Sequence, residues 1–171
     1  MSRTLILMRH AKSSWDDFMQ PDHARPLNAR GRTSAAAMGE WLTDNNYLPD
    51  ELLCSIAERT RETYARLGVL AATTRYEDAL YHAGADVMLG VLQTAQANTV
   101  LMLGHNPGIA YFAEMLAHKP ANHPRFSDYP TCATTVLSFD IDSWSDVKFS
   151  QGTVLNFAIP REVIAAQSNP T

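Results

Sequence analysis

The sequence predicts an α/β domain: a three-layer α/β/α sandwich, with a mostly parallel central sheet and an antiparallel hairpin added at the C-terminal end. Three observations carry this. Short, continuously apolar runs, each opened by a threonine, recur at 4–8 and 99–103, and such runs suit strands buried on both faces. The segments between them repeat apolar residues at helical spacing, so strand and helix alternate. The last two strand-like segments, 134–140 and 152–159, have no helix between them and must pair directly.

Each element follows in order. Residues 4–8 form the first strand. A polar, proline-containing stretch, 13–29, leads into a helix in which Ala35, Met38 and Leu42 share a face and which stops near Asn45 and Asn46. Residues 51–55 make a second strand, and 58–71 a helix with Tyr64, Leu67 and Ala71 on one side. Met88, Val91, Leu92 and Ala95 give a further helical stripe. After the strand at 99–103, Ile109, Phe112, Ala113 and Leu116 mark a helix. Residues 118–131 hold three prolines and no period, which reads as a long connection of the kind that forms lids or binding loops. The hairpin turns around 143–146. Residues 1–160 read as one domain and 161–171 as a frayed tail.

Composition narrows the function. The 171 residues suffice for one core, and 46% are hydrophobic. Fourteen Lys and Arg against 18 Asp and Glu leave a net charge of −4, which argues against a nucleic-acid binder. An acidic chain that handles an anion must gather its arginines in one place. Cys54 and Cys132 read as small buried thiols. The first eight residues are too short an apolar run for a secretory leader, and no run approaches a membrane span. The expected setting is cytoplasmic, with no metal, no cofactor and no membrane.

The chemistry gathers at strand ends. Leu7-Met-Arg-His-Ala11 closes the first strand and Gly104-His-Asn-Pro-Gly108 closes the later one. Ligands of doubly wound sheets bind just beyond such ends. Asn106 suits a helix N-cap and Pro107 a first helical position, which puts His105 at the mouth of a helix N-terminus, where anions are favoured. Ser55-Ile-Ala-Glu-Arg59-Thr-Arg-Glu-Thr63 opens the second helix, and Arg25-Pro-Leu27 lies in the loop after His10.

These motifs, in this order, resemble the histidine phosphatase superfamily, which includes the cofactor-dependent phosphoglycerate mutases. The short length and the Arg25-Pro-Leu element are most similar to its SixA branch. The resemblance spans about residues 5–157. It implies that His10 is the nucleophile, that Arg9, Arg25 and Arg59 hold the phosphoryl oxygens, and that His105 completes the pocket. It departs from the family pattern at Ala11, where Gly is usual, and at Thr60, where Ala is common. Arg61 is offset on its helix, so Arg59 is the better candidate.

The residues fit the chemistry independently of the family. Phosphoryl transfer spreads charge over three equatorial oxygens, and arginine forks hold oxygens two at a time. A nucleophilic histidine must be neutral, with its second nitrogen held by an acceptor. Glu77, Asp78, Asp16 and Asp17 are the candidate general acids, and none has a distinguishing context. A phosphoramidate leaves without a strong acid, so this ambiguity favours phosphohistidine. The expected substrate is a phosphorylated protein or a small phosphorylated molecule, and phosphate or sulfate should occupy the pocket. The alternatives are a small-molecule phosphomonoesterase or mutase, and a non-catalytic phosphate-binding module. His82, after Glu77-Asp78, borders the expected site. Arg25 has a second reading as a turn partner of Asp22. Arg30, Arg32 and Arg61 read as solvated helix charges. Trp15 and Trp41 read as packing residues. Tyr129 and Thr131 have two readings, as substrate contacts or as packing.

Overall fold

The computed structural model describes residues 1–168. Six strands form one sheet in the order β3-β2-β4-β1-β5-β6. They are β1 (Ser2–Arg9), β2 (Glu51–Ser55), β3 (Thr73–Glu77), β4 (Thr99–Gly104), β5 (Thr134–Asp140) and β6 (Thr153–Ala158). The first four run parallel, β5 adds antiparallel to β1, and β6 adds antiparallel to β5. That is the expected architecture, including the C-terminal hairpin.

Two apolar layers cover the sheet, as alternation along β1 dictates. Leu5 and Leu7 point into a core with α3 (Ala85–Leu92) and α4 (Gly108–Leu116). Ile6 and Met8 point into the other, with α1 (Ala29–Asp44), α2 (Glu58–Leu67) and α5 (Pro160–Ser168). All four β1 side chains are fully buried. Cys54 and Cys132 are free and buried, and burial pushes each thiol up to about 12. Among the described residues no helix is long and apolar enough to cross a membrane.

Four expectations need correction. The strand β3 was not anticipated: it sits at the sheet edge, half exposed and polar, so it carries neither an apolar run nor a clean alternation. Helix α2 stops at Leu67 rather than 71, because Gly68 takes the left-handed conformation at φ 74°. The segment read as a frayed tail is helical at 160–168, with Val163 buried against the α1 side; residues 169–171 lie outside the described residues. Asn106 is not a cap. Its amide donates to the carbonyls of Asp128 and Tyr129, and Pro107 holds the N-cap position.

Candidate phosphoryl site

Strand register builds the site. Arg9 stands beside Gly104 in the β1–β4 ladder, and Cys54 beside Leu103 in the β2–β4 ladder. The three strands therefore end level, and His10, His105 and Ser55 become neighbours. The His10 amide donates to the Gly104 carbonyl at 3.1 Å. The two imidazoles lie with ring centroids 5.3 Å apart.

The hydrogen bonds fix both tautomers. Nδ1 of His10 sits 2.7 Å from the Ala11 carbonyl. A carbonyl can only accept, so Nδ1 carries the proton and Nε2 presents its lone pair. Nε2 of His105 sits 2.7 Å from Ser55 Oγ, and that oxygen already accepts from the Ala57 amide. Among the described residues Nε2 is the only acceptor beside that buried hydroxyl, so the Ser55 proton goes to Nε2, and His105 carries its own proton on Nδ1. Both rings are neutral. Burial, aided by Arg9, His105 and Arg59 against the opposing Ala11 bond, holds His10 well below the usual imidazole range. Burial and then Arg59 hold His105 down at about 3.

Arg9 and Arg59 act directly on the rings, and Arg25 is linked to Arg59 through Asp22. Arg9 donates to the Tyr129 carbonyl at 3.1 Å. Arg59, at the start of α2, donates to the Asp22 carbonyl at 2.8 Å and to its Oδ2 at 3.0 Å. Arg25 reaches Asp22 Oδ1 at 3.2 Å and Ser13 Oγ at 2.9 Å, and packs 3.7 Å from the Trp15 ring centroid. Asp22 also accepts from the Tyr81 hydroxyl. Its partial burial opposes ionisation, but the bonds from Tyr81 and Arg59 and the charges of Arg59 and Arg25 outweigh it and keep it a carboxylate. Three positive charges against one leave a surplus of two, which matches a phosphoryl dianion.

Among the described residues, the buried side-chain polar atoms with no hydrogen-bond partner are Arg9 Nε, Arg59 Nε, His105 Nδ1 and Asn106 Oδ1. The first three are donors on the residues just described. Buried donors are ordinarily paired, and a bound oxyanion offers acceptors for all three. Among the same residues, no group of three or more His, Cys, Asp or Glu side chains stands as a metal-ligand set.

The structure brings Arg9, His10, Arg59 and His105 together, and Arg25 joins them through the Asp22 carboxylate. His82 borders them, 5.8 Å from the His105 ring. The carboxylates Glu77, Asp78, Asp16 and Asp17 do not join them. Glu77 pairs with Arg75 at 3.0 Å, Asp78 lies exposed in a short 3-10 turn, and Asp16 and Asp17 lie exposed in the loop after Ser14. Asp22 and Tyr81 were missed as site residues. Asp22 lies three residues before Arg25 and pairs with it as a turn partner, but only the folded loop brings it to Arg59. Trp15 is 71% exposed and so is no core residue. Tyr129 is packing: its hydroxyl bridges Leu7 O and Thr135 Oγ1.

The histidine phosphatase superfamily (branch 1) matches residues 5–82. An uncharacterised protein of Mycobacterium tuberculosis (strain H37Rv) is 35% identical over 161 residues, covering 90% of this chain and 100% of its own length. The SixA protein of Nakamurella multipartitia, a candidate phosphohistidine phosphatase, is 31% identical, covers 94% of this chain and 97% of its own, and superposes with a TM-score of 0.80. A protein histidine phosphatase SixA solved with tungstate shares the fold, at 20% identity and a TM-score of 0.73, over 94% of this chain and 99% of its own.

Proposed function

This chain belongs to the histidine phosphatase superfamily and is a phosphatase, and from that premise we propose that it releases phosphate from phosphohistidine on a protein, through a covalent phosphoryl group on its own His10. In the first step the Nε2 lone pair of His10 forms a bond to phosphorus, and the bond to the substrate's leaving nitrogen breaks with its electron pair. Arg9, Arg25, Arg59 and the Nδ1–H of His105 hold the equatorial oxygens, where charge accumulates. In the second step water attacks phosphorus, the P–Nε2 bond breaks, and both water protons end on dihydrogen phosphate. The Ala11 carbonyl keeps the Nδ1 proton of His10 in place throughout, so the nucleophile also leaves as a neutral imidazole.

One observation carries the choice of substrate. Asp22 is the carboxylate bound to Arg25 and Arg59, and it is held ionised. It offers no proton to a leaving alkoxide, whereas an imidazole protonated on its other nitrogen departs without one. The rim supports a macromolecular substrate: Trp15, Phe18 and Met19 are each more than two-thirds exposed on the loop between the nucleophile and Arg25.

Two peptides of one sequence, phosphorylated on histidine or on serine, test this. The phosphohistidine form should turn over at least about a hundredfold faster in kcat/KM, roughly the lower range credited to a positioned acid. His10→Ala should yield no acid-labile phosphoryl-protein. Equal rates on the two peptides would remove the assignment.

A further inference from the structure

Beside the nucleophile loop lies a second concentration of positive charge. A cavity of about 440 Å³ is lined by Lys12, Arg30, Arg125 and Arg161, with Ser34 and Thr131 between them. Four elements supply it: the loop after His10, the first turn of α1, the segment before β5, and the start of α5. Arg125 is paired with Asp128 at 3.0 Å. Among the described residues, Lys12, Arg30 and Arg161 form no ion pair. On a chain of net charge −4, three unpaired cations facing one concavity focus a positive potential there.

Two walls of this cavity adjoin the phosphoryl site along the chain. Lys12 follows His10 by two residues, a span of at most about 7 Å. The opposite wall, at Pro130 and Thr131, is flanked by Tyr129, whose carbonyl Arg9 holds, and by Cys132, whose amide donates to the His10 carbonyl at 2.9 Å. A substrate that extends from His10 along Lys12 and Thr131 would meet these cations. Arginine is suited to taking carboxylates or phosphates by two parallel bonds.

We propose that this cavity binds a second anionic group of the same substrate, either acidic side chains near the phosphorylated residue or a second phosphate. The proposal rests on the phosphatase reading of His10 and adds a specificity site to it. Arg30 and Arg161 touch none of the groups around His10, so the double variant R30A/R161A isolates the cavity. Two substrate pairs distinguish the sources: phosphohistidine peptides with Asp and Glu or with Ala near the phosphorylated residue, and an alkane bisphosphate against its monophosphate.

The full-length chain should prefer the acidic member of one pair by roughly threefold to tenfold, through KM, as two solvent-exposed pairs would give. That preference should shrink as salt rises. R30A/R161A should lose it while hydrolysing phenyl phosphate at the unchanged rate, and R30K/R161K should keep most of it. Calorimetric binding of the acidic and Ala peptides without phosphate separates this failure from that of the catalytic reading. Tighter binding of the acidic peptide, abolished in R30A/R161A, sustains the cavity even where no phosphate is released. Equal binding together with no preference in either pair, or a preference that survives in R30A/R161A, overturns it.

Discussion

A single hydroxyl decides which nitrogen of His105 faces the phosphoryl oxygens. Ser55 Oγ is buried and accepts from the Ala57 amide, and among the described residues His105 Nε2 is the only acceptor for its proton. Ser55→Ala removes that donor and leaves Nε2 to take the proton itself, which strips the Nδ1–H from the site. The loss of one such bond should lower kcat/KM by about tenfold, near 1.4 kcal/mol. Formation of the His10 phosphoryl-protein should survive, because the tautomer of His10 is set separately by Ala11. Nitrogen-detected NMR of His105 would show the tautomer change. An unaltered rate with an altered tautomer would mean that His105 only packs against the site.

At the scale of elements, what the sequence revealed depended on burial. Strands β1, β2 and β4 are central and apolar, and their ends carry Arg9, His10, Ser55 and His105, so motif and fold were legible together. The edge strand β3 and the Asp22 contact were not, because nothing local marks a half-exposed strand or a carboxylate brought in by a loop. Close approach of backbones is a third feature that spacing leaves unseen. A Cβ on Gly31 would lie 2.1 Å from the Lys12 carbonyl oxygen, so α1 rests directly on the nucleophile loop. Gly31→Ala must push the two apart and should destabilise by about 1–3 kcal/mol, with kcat falling alongside. Gly90, within α3, has nothing within 4 Å of such a Cβ. Gly90→Ala should instead stabilise by about 0.5–1 kcal/mol with unchanged kcat. Urea unfolding of the two variants checks the contrast, and a neutral G31A would sink the claim that this contact positions His10.

For the molecule as a whole, two buried neutral imidazoles tie stability to pH. His10 and His105 have folded values below their ordinary 6.5, that of His105 near 3. The unfolded chain therefore binds more protons than the folded one from pH 6.5 down to those values. Stability is full above 6.5 and is lost as pH falls through that window. Asp22 acts in the same direction but only later: its folded value is depressed, so its contribution is lost below its ordinary 3.8. Between pH 6.5 and about 4.5 the loss belongs to the imidazoles, at no more than about 1.4 kcal/mol per pH unit for each. Unfolding free energy should drop by roughly 1–3 kcal/mol between pH 7 and pH 5, and a variant carrying His10→Gln and His105→Asn should be nearly flat over that range. Turnover should behave differently. The folded enzyme keeps His10 neutral at pH 6, so kcat in brief assays should hold there even as the melting temperature declines. A wild-type stability that is level from pH 7 to pH 5 would show that these rings are not held neutral by burial, and the nucleophile would then need another source of its free lone pair.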